Sequence, residues 1–399
     1  MFHGVSADGG GQRITSHVAA AQAPNTTMAD QALSGLRVID MSTVLAGPNC
    51  ARYLADFGAD VIKVERPDVG DSLRNMGWRD PEDGEGLWWR MVNRNKRNIA
   101  LDLKNADDHA LFLRLVDDAD VLVENLRPGI LERLGLGPDV LFARNPQLVI
   151  TRVSGFGQTG PYANRPGFAT IAEAMSGLAS ITGMPGGDPM LPPIALTDEV
   201  TGLVAAFATM VALWSEQGQV VDVSLLESIF QIMGPLISVY LTRGEMQERM
   251  GSLIPYTVPR GVYKCSDGKF VAMSTSSDSI AGRVMTLLGF GDDDRFSTFA
   301  GRIENRHVID DAIEKWFAQH TQAEALAIFE EIQAAAGPVL DMHDIAHDPH
   351  YAARDAIVRV EGTPMQALVA RLSKTPGSVK WRGRARDADG DAIRRNGWE

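Results

Sequence analysis

Cysteine is almost missing from this chain. Cys50 and Cys265 are the only two in 399 residues and stand far apart, which excludes a disulfide framework and fits a reduced compartment. Neither has a neighbouring motif, so each reads as a small buried core residue. Basic charge is the scarcer sign: 38 Lys and Arg stand against 51 Asp and Glu, for a net charge of −13. That balance argues against a general nucleic-acid or anionic-membrane binder. An anionic ligand would need a local basic pocket, because the summed field repels it. The sequence offers no apolar run that approaches a membrane span. Residues 1–33 lack the basic start and long apolar core of a signal peptide. They read instead as a loose arm, with a second candidate start at Met28, and the expected location is cytoplasmic.

What is present is an ordinary core composition, 45% hydrophobic against 22% charged. The length suits two domains, or one large domain with an insertion. From residue 36 strands and helices alternate. Residues 36–41, 61–64, 99–103, 121–123 and 148–150 read as short apolar strands. Gly47-Pro48 opens a helix that runs to about Phe57, and Asn105 caps a helix over 106–119. Shorter helices are expected over 130–134 and 139–144, and a long loop over 67–95. This alternation predicts an α/β fold with a doubly wound parallel sheet and ligands beyond the carboxyl ends of its strands. Apolar helices over 199–214 and 225–240 follow, linked by a strand over 220–223. The texture then changes. Residues 262–264 and 270–273 flank Ser266-Asp267-Gly268 as a hairpin, and helices run over 279–288, 308–319 and 322–334. The predicted division is a flexible arm over 1–33, the first part of a large domain over 34–224, a smaller α+β domain with linker helices over 225–335, and a return to the large domain over 336–399.

An ordered series of short motifs threads these elements. It runs Ala46-Gly47-Pro48, Val61-Ile62-Lys63-Val64-Glu65-Arg66-Pro67, Asn95-Lys96-Arg97-Asn98-Ile99-Ala100-Leu101-Asp102-Leu103-Lys104 and Val123-Glu124-Asn125-Leu126-Arg127-Pro128-Gly129. Ser154-Gly155-Phe156-Gly157, Arg165-Pro166-Gly167-Phe168-Ala169 and Gly337-Pro338-Val339-Leu340 complete it. Each motif is weak singly. In this order, over residues 36–381, they resemble the class III CoA-transferases, the carnitine dehydratase/bile-acid-inducible group. The resemblance implies a large domain with a Rossmann-like core, a small domain, and two chains interlinked as a dimer. It implies CoA or acyl-CoA as substrate, a small carboxylic acid as the second substrate, and no metal. The family's CoA contacts fall here on Val44, Leu45, Ala46, Arg66, Asn125 and Leu126. Arg97 and Arg133 supply further candidate charges for the phosphates, since guanidinium groups and helix-start amides suit a 3′-phosphate and a pyrophosphate.

The family's PGFD or PGYD segment carries an Asp nucleophile that attacks the donor thioester, giving first a mixed anhydride and then an aspartyl-CoA thioester. Here that position is Ala169, whose methyl group has no lone pair. A glycine-rich loop usually donates backbone amides to the oxyanion, and residues 251–261 contain no glycine cluster. Glu173, four residues on, lies on the same helical face about 6 Å further along the axis and is a possible surrogate. Its bland reading is a paired or solvated glutamate. Asp198 is another acid, read first as a helix N-cap. The related α-methylacyl-CoA racemases need acid/base groups that would fall on Ala169 and near Ser277, with Asp278 adjacent, so that reading is poor. His343, His347 and His350 have a spacing a metal could use, but Pro349 interrupts it and surface histidines are the commoner reading. Trp78, Trp88 and Trp89 with Arg74 and Arg90 read as a substrate pocket or dimer seam. Two function classes remain: a CoA-transferase with an atypical site, or a non-catalytic CoA-binding subunit. The first expects a homodimer, the second a heterodimer with an Asp-bearing paralogue.

Overall fold

The computed structural model describes residues 31–275 and 277–399. The expected arm lies outside the described residues except for residues 31–33. There Leu33 donates its N–H to Phe57 O at 2.9 Å and Gln31 Nε2 donates to Ser378 Oγ at 3.0 Å, so this stretch is packed. The chain divides into two compact units. One takes the chain up to Ser176, Pro192–Met233 and Asp355–Glu399; the other takes Gly177–Leu191 and Gly234–Arg354.

The first unit opens with β1 (Arg37–Asp40), α1 (Ala46–Asp56), β2 (Asp60–Glu65), α2 (Leu87–Val92), β3 (Lys96–Ala100), α3 (Ala106–Asp117) and β4 (Val121–Glu124). It continues with α4 (Ile130–Arg133), α5 (Pro138–Arg144), β5 (Val149–Ser154), α6 (Ala169–Met175), α7 (Leu196–Trp214), β6 (Gln219–Ser224) and α8 (Leu225–Gln231). All six strands pair in parallel, in the order β3-β2-β1-β4-β5-β6. Strands covered on both faces must be apolar throughout, and Val38, Ile39, Val61, Ile62, Val121, Leu122 and Ile150 are all fully buried. Phe112, Leu115 and Val116 of α3 close the core on one face, and α1 packs along α7. Asn105 caps α3 as expected, its Oδ1 accepting the Asp107 and Asp108 amides at 2.9 and 3.2 Å. Because β2 and β4 flank β1 on opposite sides, the strand order reverses there. In such sheets that reversal opens a crevice at the carboxyl ends.

Helix α7 corrects the expectation that no span-length apolar run exists. It has 19 residues and a mean hydropathy of 1.5, long and apolar enough to cross a membrane by length and composition. Its acids, Asp198 and Glu199, sit in the first turn and leave the remainder uninterrupted. One side, with Thr197, Thr201, Ala205, Thr209 and Ala212, is buried. The other is exposed, with Phe207 at 72% and Trp214 at 79%.

The second unit contains α9 (Leu236–Arg243), β7 (Arg260–Lys264), β8 (Phe270–Ser274), α10 (Asp278–Leu287), α11 (Phe299–Glu304), α12 (Arg306–Phe317), α13 (Gln322–Glu331), β9 (Ala336–Pro338), α14 (Met342–His347) and α15 (Pro349–Ala353). Its strands form an antiparallel sheet in the order β7-β8-β9, and the expected hairpin is β7–β8. Tyr263, Val271 and Met273 point into a core with Val284, Ile313, Phe317 and Phe329. The chain then returns to the first unit through the hairpin β10 (Ile357–Val360) and β11 (Thr363–Gln366) and the helix α16 (Gly390–Asn396).

The structure draws three boundaries differently from the sequence. The helix expected over 225–240 is two helices, because Gly234 turns to φ +61° and Pro235 cannot continue the first; the unit boundary falls there. The return comes at Asp355 rather than at 336, because β9 pairs with β8 and keeps its segment in the second unit. The loop over 67–95 contains α2 and a short 3-10 turn at Ser72–Asn75.

Candidate functional site at the strand-order reversal

Four buried charges underlie the loop that follows β1. Asp40 lies 2.8 Å from Lys96 Nζ and 3.6 Å from Lys63 Nζ, and Lys63 lies 3.2 Å from Asp71; all four are essentially inaccessible. Burial opposes ionisation of Asp40, but Lys63 and Lys96 outweigh it and hold the carboxyl below its ordinary range. Burial pulls Lys96 down to about 8. Lys63 is raised instead: burial opposes its charge, but Asp40 and Asp71 prevail.

Asp71 carries this network to the backbone. Its Oδ1 accepts the N–H of Val44 at 3.1 Å and of Leu73 at 2.9 Å. Val44 sits at φ +68°, a left-handed conformation that a β-branched residue rarely adopts. Strain of that kind persists where surrounding bonds fix it, often beside a ligand. The loop after β4 is tied to the same segment. Thr43 N donates to Asn125 Oδ1 at 2.8 Å, and Asn125 Nδ2 donates back to Thr43 O at 2.7 Å. Helix α1 starts between these loops with no side-chain cap and no acid in its first turn. Its positive end is therefore left for an anion.

The predicted contacts distribute unevenly. Thr43 is exposed and Val44, Asn125 and Leu126 are half-buried, whereas Leu45 and Ala46 are buried. Arg66 follows β2 at the carboxyl edge; its exposed guanidinium lies 2.7 Å from Asp68, an ion pair of little strength. Arg133 is exposed, and its guanidinium makes no hydrogen bond or ion pair with a described residue. A Cβ on Gly129 would lie 3.3 Å from its Nη1, which places the guanidinium over the loop after β4. Arg97 does not join this group. It pairs with Asp60 at 2.5 Å and donates to Trp398 O at 3.3 Å. Asp60 is the first residue of β2, so this guanidinium lies at the amino edge of the sheet, away from the crevice.

Ala169 is the first residue of α6, half-buried, with no side-chain cap before it. Its segment reaches the sheet by a backbone crossing: a Cβ on Gly155, just past β5, would come within 2.8 Å of Gly167 Cα. Only glycines allow that approach. Glu173 is neither solvated nor turned out. It is buried, and its Oε1 accepts from Thr197 Oγ1 at 3.0 Å. Asp198 is not the cap of α7, since Ala195 holds that position without a side-chain bond. Asp198 is half-buried, and its carboxyl has no hydrogen-bond partner among the described residues. Burial first, and then Glu173 and Glu199, push it up to about 6. Glu199 is satisfied separately by Asn49 Nδ2 at 3.0 Å and Tyr53 Oη at 3.3 Å, with Arg52 at 3.6 Å.

Other candidates resolve into framework. Trp89 is fully buried, with the Arg74 guanidinium 3.6 Å from its ring centroid, and Arg90 is enclosed by Asp80, Asp83 and Glu85. Trp78 remains exposed. Ser277 caps α10, and Asp278 lies 2.6 Å from buried Arg302, so neither stands free for proton transfer. Sequence reading missed Asp40, Asp71, Thr43 and the sharing of Asp40 by Lys63 and Lys96. The available signal was a lysine inside the apolar strand Val61-Ile62-Lys63-Val64, since a buried charge needs a partner.

A doubly wound sheet with two clasped loops and an uncapped helix start at its reversal is the arrangement in which α/β sheets commonly hold nucleotide-like anions. More narrowly, the chain belongs to CoA-transferase family III, whose profile matches residues 33–386. It is 40% identical over 365 residues to the succinyl-CoA–D-citramalate CoA-transferase of Chloroflexus aurantiacus, covering 88% of this chain and 90% of that one. It is 38% identical over 363 residues to the beta subunit of the succinyl-CoA–L-malate CoA-transferase of the same organism, covering 87% and 89%. A crystal structure of a CAIB/BAIF family protein from Brucella suis superposes with a TM-score of 0.81 at 33% identity, over 92% of this chain and 99% of that one. By family and fold this is a CoA-transferase, an enzyme class that moves CoA between a thioester and a carboxylic acid.

Proposed function

We propose that CoA lies across the strand-order reversal, against Val44 and the start of α1 on one side and Asn125 and Leu126 on the other. Arg66 and Arg133 meet its phosphates, and Arg97 takes no part. The observation that carries this reading is the reciprocal Thr43–Asn125 clasp, which fixes the two loops as one surface. Two relatives named for succinyl-CoA with citramalate or malate support a short dicarboxylic acid as the second substrate.

The covalent route needs an enzyme carboxylate. Its oxygen attacks the thioester carbonyl carbon, the C–S bond breaks, and the thiolate leaves with the electron pair. The thiolate then attacks the enzyme's side of the resulting anhydride and releases the donor acid. The acceptor carboxylate reverses both steps. In this reading the Glu173–Asp198 neighbourhood supplies the carboxylate that Ala169 lacks. A second reading is favoured by the burial of Glu173 and by the relative named as a beta subunit. In it this chain binds CoA while a paralogue carries the nucleophile.

Mass spectrometry of the chain incubated alone with acyl-CoA and acid panels separates the two. New thioesters, with an adduct on Glu173 or Asp198 that E173Q or D198N abolishes, support the first. Binding without turnover supports the second, and A169D is then expected to gain both an adduct and transfer. The exposed face of α7 supports the dimer, and two buried free cysteines agree with a cytoplasmic setting.

A further inference from the structure

Strand β5 places a cation among apolar neighbours. Val149, Ile150 and Val153 of this strand are buried, and so is Arg152. A buried charge is kept where it has partners, and Arg152 has two. Its Nε donates to Glu124 Oε1 at 2.6 Å, and its Nη1 donates to Glu132 Oε1 at 2.8 Å. Glu124 is its register partner across β4 and β5 and is fully buried. Burial pushes the Glu124 carboxyl up, against the pull of Arg152. Glu132 stands on α4, where Leu131 before it packs in the same core as Ile150.

Both acids lead to the crevice. Glu124 is the last residue of β4, and its Oε2 accepts the N–H of Leu126 at 2.6 Å, just past Asn125. Glu132 precedes Arg133, whose guanidinium lies over the loop after β4. Successive residues of a helix diverge by ~100°, so holding Glu132 on the sheet fixes the direction in which Arg133 leaves α4. Apolar residues of similar volume commonly stabilise a core as well as a buried ion pair does. What a planar guanidinium adds is direction, because its donors point along fixed lines.

We propose that Arg152 is a positioning residue for CoA: through Glu124 it sets the Asn125–Leu126 loop, and through Glu132 it sets Arg133, so that both contacts form one surface before CoA arrives. The proposal rests on the placement of CoA given above. Arg152 acts through its two acids and not on CoA itself.

The test is calorimetric titration of CoA into the full chain, arranged as a double-mutant cycle. R133A is expected to weaken CoA at least about 10-fold, as for loss of a charged hydrogen bond. E132A removes the tether on α4 but leaves Glu124 paired with Arg152. The Glu132 side chain is 42% exposed, so the melting temperature of E132A stays near that of wild type. E132A is expected to weaken CoA about 3- to 10-fold, and to add less than about twofold in an R133A background. E132Q keeps an acceptor for Nη1 and should recover part of the affinity. R152M strands buried Glu124 and is expected to lower the melting temperature. R152K keeps a charge for Glu124 without the fork, so it should melt above R152M yet bind CoA no better than E132A. An equal loss from E132A with and without Arg133 overturns the positioning role and leaves the placement of CoA standing. So does unchanged affinity in E132A where R133A weakens CoA. Wild-type affinity in both R133A and N125A overturns the placement, and the positioning role with it.

Discussion

Asp198 lies among acids without a cation of its own, and that has a consequence for stability. The folded carboxyl, pushed up to about 6, holds its proton more tightly than an unfolded aspartate near 3.8. Between those values the folded state binds more protons, so stability falls as pH rises through them. The contribution is complete below about 3.8 and gone above about 6. D198N removes the charge that causes it. The expected result is a higher Tm than wild type at pH 7 to 8, with the difference fading toward pH 4. A difference independent of pH would assign the effect to packing instead. Ala169 raises the complementary point. It stands in the first turn of α6, where a carboxylate would be favoured by the helix dipole, and no acid occupies that turn.

Between residue and fold, the loop after β1 shows what sequence can and cannot convey. The parallel sheet was legible because doubly covered strands must be continuous apolar runs, and Asn105 announced α3 through its capping chemistry. The loops after β1 and β4 were placed through motif order. Their clasp was not legible, since Thr43 and Asn125 meet only once β1 and β4 are neighbours. For the same reason the position of the Arg97 side chain was not legible. A charged residue in a strand motif does not reveal which strand end its side chain reaches, and Asp60 decides that here. The break at Gly234-Pro235 was written in the sequence and outweighed by the apolar run around it. Asp71 tests the element directly. D71A removes the acceptor for two amides and strips a partner from buried Lys63, which costs ~3–5 kcal/mol. A lowered urea midpoint at unchanged slope is the expected result. D71N removes the same charge but keeps Oδ1 for the two amides, so it separates the two effects: a loss equal to that of D71A assigns the anchoring to the charge beside Lys63, and a smaller loss assigns the difference to the two amide bonds.

At the scale of the whole molecule, the exposed side of α7 departs from an ordinary surface. Leu203, Phe207, Val211 and Trp214 form a contiguous apolar face along one helix. Isolated exposed apolar residues are common, whereas a continuous stripe on a long helix marks a contact surface. A symmetric dimer would cover it in both copies. F207E is expected to halve the mass seen by sedimentation equilibrium while leaving the circular dichroism spectrum unchanged. An undiminished mass would place the contact elsewhere. Placement of CoA at the strand-order reversal is tested most directly by calorimetric titration of CoA into wild type and N125A. Loss of the clasp is predicted to weaken CoA by at least about 10-fold, from the two hydrogen bonds removed. Wild-type affinity in N125A would contradict the placement of CoA at these loops.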